Sequence, residues 1–221
     1  MHKQPTPNRL EAFSDGVIAV IITIMVLDLK IPHADGLAGF LTVLPTIAVY
    51  LLSFLLTGLY WLNHHVLIDR LRHVDALILW ANLFFLFTLS LIPFFTNYLV
   101  EKGIRPFPVG LYAASLFVDA ISWTLLAHAI SRHLCLHADD PEEAAELAEQ
   151  LAEFRKGLIC LGTYLVAIAV ARYQPLVALV LVALINLVWV VPGFLVKPTP
   201  LPHHPHHPHP THENQTAGSA R

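Results

Sequence analysis

The sequence predicts an all-α, polytopic membrane protein with six transmembrane helices per subunit. Three observations carry that prediction. Of 221 residues, 56% are hydrophobic, and mean hydropathy is +0.61. Only 13% are charged, where soluble domains carry about a quarter. The apolar residues gather into six long runs, near 9–30, 38–62, 74–99, 107–131, 156–173 and 175–196. Each approaches the roughly 20 residues that a helix needs to cross about 30 Å of hydrocarbon.

Composition also excludes functions. A net charge of −3 with neutral histidines offers no basic footprint for nucleic acid, so the expected partner is the lipid bilayer. Cys135 and Cys160 are too few for a disulfide framework and read as small packing residues near helix ends. Neither Gly-x-Ser-x-Gly nor His-Glu-x-x-His occurs, so no enzyme is expected and no cofactor is required.

Residues 1–8 are polar and contain proline, which predicts a short cytoplasmic N-terminus without a cleavable leader. The first run, RLEAFSDGVIAVIITIMVLDLK, is unlike the others. A polar cluster (Arg9, Glu11, Ser14, Asp15) opens it, and Thr23 and Asp28 interrupt its apolar body. Val20, Ile24 and Leu27 share one helical face, with Thr23 about 60° and Ser14 about 120° away on a 100° wheel. Copies of that face brought together by symmetry would form a narrow apolar tube with Asp28 near its mouth. A helix buried in its own bundle would show the same spacing, and spacing alone favours that alternative.

The second and third runs are the clearest spans: Gly36–Ile68 and Ala76–Val100 contain no Lys, Arg, Asp or Glu. His64 and His65 sit at the inner end of the second run after Tyr60 and Trp61, which suit interface anchoring. Adjacent histidines point in different directions on a helix, so one is expected to face the polar start of the first helix. Asn82, early in the third run, suits an interhelical hydrogen bond. Asp119 falls about 18 Å into the fourth run at 1.5 Å per residue, near the midplane. It is either an ion- or proton-handling carboxylate or one satisfied by a neighbouring helix, and the cost of burying charge favours the second reading.

Between the fourth and fifth runs, Asp139-Asp140-Pro141-Glu142-Glu143 has the chemistry of a helix start. Leu147, Leu151 and Phe154 then recur at helical spacing, so a short amphipathic cytoplasmic helix is expected near 140–155. Pro175 opens the sixth run after the turn at Arg172. These six runs make one transmembrane domain over 9–197. From 198 to 221 the chain is His/Pro-rich and reads as a disordered cytoplasmic tail. His203, His204, His206 and His207 could bind a soft divalent metal, although composition favours a solvated tail.

Lys and Arg in the short loops give the orientation. With the N-terminus inside, Lys3, Arg9, Arg70, Arg72, Arg132, Arg155, Lys156, Lys197 and Arg221 are cytoplasmic, against Lys30, Lys102, Arg105 and Arg172 outside. Both termini are therefore expected in the cytoplasm, with the protein in the cell (inner) membrane.

Arg9-x-x-x-Phe13-Ser14-Asp15, with Gly16 and Ala19 after it, resembles the RxxxFSDxxxA signature of the TMEM175 family of potassium channels. The likeness continues through ITIMVLDLKIP, Trp61-Leu62-Asn63-His64-His65, Asn82-Leu83-Phe84-Phe85 and Ser90-Leu91-Ile92-Pro93. It implies one six-helix repeat per chain and a homotetramer with the first helix lining a central pore. It also implies potassium-selective, or weakly selective monovalent cation, conduction. The TVGYG filter of ordinary potassium channels is absent from this sequence. The family's narrowest ring maps onto Val20, and its next pore-facing positions onto Ile24 and Leu27. Thr23 matches a hydroxyl position linked to selectivity.

Valine is smaller than the family's isoleucine or leucine, so the ring should be wider. An apolar ring conducts only when it widens or wets, and so acts as gate and filter together. The resemblance makes Arg9, Phe13, Ser14 and Asp15 structural, with His64 or His65 and Asn82 as partners. The alternative is a proton-coupled secondary transporter using Asp119 or the histidines. Against it, the chain lacks the paired interrupted helices of an inverted repeat.

Overall fold

The computed structural model describes residues 6–27, 29–32, 34–136 and 143–195, with the side chains of 135–136, 143–154 and 187–195 outside that description. Seven helices follow one another among these residues: α1 Pro7–Leu27, α2 Gly36–Asp69, α3 Ala76–Ser90, α4 Ile92–Lys102, α5 Pro106–Leu136, α6 Glu143–Ala171 and α7 Pro175–Leu195. In lipid a helix satisfies its own backbone, which is why hydropathy so directly becomes helix here.

Local chemistry sets several boundaries. The Asp75 carboxylate accepts from the Ile78 amide at 2.8 Å and so caps α3. Pro93 has no N–H to offer the Leu89 carbonyl, so the helical ladder stops at Ser90, and the Leu91 amide turns back to the Thr88 carbonyl at 3.1 Å. The third apolar run is thereby divided into α3 and α4. Gly103, at φ 77°, closes α4 by donating to the Leu99 carbonyl at 2.9 Å, with a positive φ that suits glycine. At the start of α2, a Cβ on Gly39 would lie 1.8 Å from the Ala34 carbonyl oxygen, so the turn into that helix requires glycine.

Among the described residues four helices are long and apolar enough to cross a membrane: Pro7–Leu27, Gly36–Asp69, the joined Ala76–Lys102 and Pro106–Leu134. This corrects the expectation of six spans. The expected fifth span is the later part of α6, which begins at Glu143. The amphipathic stretch expected near 140–155 runs into it without a break from that residue. With Arg155 and Lys156 preceding it, the uncharged part, Gly157–Ala171, is shorter than the roughly 20 residues a crossing needs. In α7 the described apolar stretch, Pro175–Asn186, is shorter still. The expected helix start at 139–142 and the His/Pro tail lie outside the described residues.

Packing divides the bundle into two groups sharing α3 and α4. Helix α1 packs on α2, α3 and α4, while α5 packs on α3, α4, α6 and α7. The core along α5 is built from Tyr112, Leu116, Leu126 and Ile130, all essentially inaccessible. Phe85 of α3 joins Trp123 and Tyr60 in an aromatic cluster with ring centroids 5.3–5.6 Å apart. His65 pairs with Glu11 and His133 with Asp75 at one end of the bundle, and Lys30 with Glu101 at the other.

The Asp75 carboxyl is held below its ordinary range, first by the Ile78 amide and then by His133. A carboxyl depressed in the folded state adds stability above its unfolded value, about 3.9. That stability is lost as pH falls through the lower folded value. Asp75→Ala should destabilise the fold by about 1 kcal/mol at pH 7 through the lost cap. In mixed-micelle unfolding, the gap between the two proteins should narrow as pH falls below 4. A gap that is constant across that window would remove the electrostatic part of the argument.

Candidate functional site: the two faces of the first helix

Helix α1 has two different sides. Leu10, Ser14, Ile18, Ile21 and Met25 are buried against the rest of the bundle. On the opposite side Phe13 (54%), Val20 (53%), Ile24 (45%) and Leu27 (80%) are exposed, together with Thr23. Space is open around Gly16, where an added Cβ would meet nothing within 4 Å. The exposed positions recur every three or four residues and make a continuous apolar stripe. The Thr23 hydroxyl hydrogen turns back to the carbonyls of Ala19 and Val20, both at 3.0 Å. Its oxygen lone pairs remain the polar feature of the stripe.

The buried side is fastened by a chain of hydrogen bonds across three helices. Ser14 Oγ donates to the Leu10 carbonyl at 2.9 Å and accepts from Asn82 Nδ2 of α3 at 2.9 Å. The Asn82 carbonyl oxygen then meets His64 Nε2 of α2 at 2.8 Å. Since that oxygen can only accept, Nε2 must carry the hydrogen. Ser14, Asn82 and His64 are all at 0% exposure, and His64 also stacks on Phe85 at 5.9 Å. Among the described residues His64 Nδ1 has no hydrogen-bond partner.

Closer to the end of α1, Trp61 Nε1 donates to Asp15 Oδ1 at 2.9 Å, and His65 Nδ1 meets Glu11 Oε1 at 2.6 Å. Both histidines thus engage the bundle, where one was expected to face the polar start of the first helix. Trp61, read in the sequence as an interface anchor, is the partner of the signature aspartate. Ser14 lies on the buried side, away from Val20 and Ile24. Arg9 is exposed and makes no ion pair among the described residues. Asp28 lies outside the described residues, as do His203, His204, His206 and His207.

Asp119 belongs to a different site. It is fully buried, and its Oδ1 accepts from Thr88 Oγ1 of α3 at 2.8 Å. Ser122 Oγ lies 2.7 Å from Thr88 Oγ1 and donates to the Asp119 backbone carbonyl at 2.7 Å. A third polar node joins α2, α4 and α5: Thr96 Oγ1 to Ser53 Oγ at 2.8 Å, and Ser53 Oγ to the Tyr112 hydroxyl at 2.9 Å. These serines and threonines were passed over in the sequence, because single hydroxyls in an apolar helix mostly bond their own backbone. Their sole signal is their position inside otherwise apolar runs. Among the described residues no three His, Cys, Asp or Glu side chains could hold a metal ion.

These features define a multi-pass helical membrane protein whose N-terminal helix is pinned by polar bonds on one side and apolar and open on the other. A family model described as the endosomal/lysosomal potassium channel TMEM175 matches residues 9–93, which include Ser14, Asn82 and His64. A potassium channel of Chryseobacterium sp. (strain P1-3) is 39% identical over 187 residues, spanning 85% of this chain and 94% of that one. One of Streptomyces collinus is 35% identical over 146 residues, spanning 63% and 71%. In fold, the chain is similar to a crystal structure of a lysosomal potassium-selective channel TMEM175 homolog from Chamaesiphon minutus. The TM-score is 0.72 at 23% identity, over 85% of this chain and 97% of that one. The chain belongs to the TMEM175 potassium-channel family.

The fastening makes a measurable claim. Asn82→Leu strands the His64 Nε2 hydrogen in an apolar core and should cost about 1–3 kcal/mol, whereas Ser14→Ala should cost about 1 kcal/mol. Removing both partners in Asn82→Leu/His64→Leu should recover part of the loss. Additive losses in mixed-micelle unfolding would mean that the two side chains do not act as a pair.

Proposed function

We propose that this protein conducts K⁺, and more weakly other monovalent cations, through a pore lined by the exposed stripe of α1 in a homotetramer. The observation that carries the reading is the apolar face of α1, left uncovered while the opposite face is fastened. Family membership and the potassium-channel names of its relatives support it. Four copies of α1 around an axis would place rings of Val20, Ile24 and Leu27 along the path. Such rings pass ions only when they widen or wet, which lets one constriction serve as both gate and filter.

In this reading Thr23 supplies lone pairs beside the narrowest ring, where a partly dehydrated cation gains from an oxygen ligand. Asp28, next to Leu27 in the chain, concentrates cations at the outer mouth. Ser14 and Asp15, bonded to Asn82 and Trp61, hold the helix in place and do not ligate ions. Both termini face the cytoplasm. That orientation puts Arg70, Arg72, Arg132, Arg155 and Lys156 on the inner side, as the distribution of positive charge in membrane proteins favours. The Glu11–His65 and Asp75–His133 pairs would then mark the inner end, and Lys30–Glu101 the outer.

Reconstituted full-length protein should run as a tetramer by native mass spectrometry and release K⁺ from liposomes without a pH gradient. Asp119→Asn should leave that flux in place, and obligate coupling to protons would overturn the channel reading. Val20→Asn and Ile24→Asn should each raise conductance several-fold by easing wetting while relaxing K⁺/Na⁺ discrimination. If both variants conduct and select like the parent, the stripe lies off the permeation path.

A further inference from the structure

Helices α3 and α5 leave a groove on the side of the bundle that faces away from α1. Three contacts set their antiparallel register: Asp75 with His133 at 3.1 Å, the rings of Phe85 and Trp123 at 5.3 Å, and Thr88 with Asp119 at 2.8 Å. At this register Arg132 stands level with the first turn of α3, and Leu125 level with Phe84. A helix turns about 100° per residue, so on α3 Trp80 and Phe84 each lie about 160° from Asn82. Asn82 bonds Ser14 of α1, and those two rings therefore point away from α1 and its exposed stripe. On α5, Leu125 and Arg132 share the outward edge and are exposed, whereas Trp123 and Leu126 turn inward and are buried. Both outward edges lie on the same side of the helix pair.

The walls of the groove are apolar and its end is cationic. Leu77, Trp80 (73% exposed) and Phe84 come from α3, and Val118 and Leu125 from α5. Arg132 is exposed and makes no hydrogen bond or ion pair among the described residues. Asp75, the carboxylate brought to this corner by His133, is already engaged by the Ile78 amide and the His133 ring. A free guanidinium is a planar fork of donors that matches a phosphate. His128, exposed one turn before Arg132, stands level with Trp80, whose indole suits the headgroup region. From Arg132 to Val118 the helix runs about 21 Å at 1.5 Å per residue, enough for one leaflet of a hydrocarbon layer about 30 Å thick. A soluble partner would have to enter that layer to reach Phe84 and Leu125, where a lipid chain already lies.

We propose that this groove is a binding site for an anionic phospholipid. The lipid phosphate accepts from Arg132, with His128 beside it, and an acyl chain lies along Leu77, Phe84 and Leu125. Trp80 packs against the glycerol and ester region. A zwitterionic lipid brings its own ammonium group, which offsets the phosphate charge that Arg132 answers. The site therefore favours phosphatidylglycerol over phosphatidylcholine, by about fivefold for one arginine near the membrane surface. With Arg132 on the cytoplasmic side the lipid belongs to the inner leaflet. The groove lies across α3 from the α1 stripe and stands whether or not that stripe conducts.

The test is native mass spectrometry of the full-length protein in detergent, titrated with palmitoyl-oleoyl phosphatidylglycerol or phosphatidylcholine. The first phosphatidylglycerol per subunit should bind about fivefold more tightly than phosphatidylcholine. Arg132→Gln should remove that preference, and since Arg132 is exposed and unbonded the variant should fold like the parent. Arg105→Gln, at the opposite end of α5, should keep the preference, and Trp80→Ala should weaken both lipids several-fold. Glycerophosphoglycerol, the same headgroup without chains, should not compete. Equal binding of the two lipids by the parent would overturn the proposal, as would a preference that survives Arg132→Gln. An equal loss in Arg105→Gln would mean diffuse charge attraction and reject the site. Unchanged binding in Trp80→Ala would put the lipid outside this groove, and competition by glycerophosphoglycerol would make it a site for soluble anions; either result rejects the lipid site.

Discussion

The bundle depends on one chain of hydrogen bonds, from Asn82 to Ser14 on one side and from His64 to Asn82 on the other. Each of these side chains lies in hydrophobic surroundings where water cannot replace a lost partner. The three helices must therefore meet at one height and one rotation. Turning α1 by a single residue, about 100°, would take Ser14 Oγ away from Asn82 Nδ2 and leave Asn82 half satisfied. The fastening thus determines which face of α1 points away from the bundle. An apolar helix without it could rotate at little cost, since lipid and Leu-rich packing surfaces are nearly equivalent in polarity.

Polar nodes recur along the shared middle of the bundle. Thr88, Asp119 and Ser122 tie α3 to α5, and Ser53, Tyr112 and Thr96 tie α2, α4 and α5 together. Around them, ring packing among Phe85, Tyr60 and Trp123 closes the space with shape and area. This division explains how α1 can be held firmly while its outer stripe stays free. The bonds that fix it all leave from one side, and the stripe carries only Val20, Thr23, Ile24, Leu27 and their neighbours. Thr23 is the single member able to offer an oxygen, and its hydrogen is already committed to its own helix.

Much of the site was legible from residues alone. The polar start of the first run and the lone Asn82 stand out because polar groups are rare in hydrocarbon. One partner was missed for a physical reason. Trp61 has the chemistry of an interface anchor, and only its approach to Asp15 from 46 residues away makes it a fastening. His65 follows His64 directly, and nothing local says that Glu11 will reach it. The six-span reading failed differently: hydropathy marks an apolar run, but the uncharged part of α6 follows an amphipathic start without a break and is too short to qualify.

By itself, the sequence determined the membrane class, the helical character of each run and the unusual standing of the first helix. These follow from transfer energy and backbone sterics, which are sums over neighbouring residues. Tertiary structure alone decided which face of α1 is buried and that Asp119 answers to Thr88. Those outcomes rest on contacts such as Ser14–Asn82, 68 residues apart, and Thr88–Asp119, 31 apart. No periodicity records such a pairing, because it exists only once helices from distant parts of the chain are packed at a fixed rotation and depth.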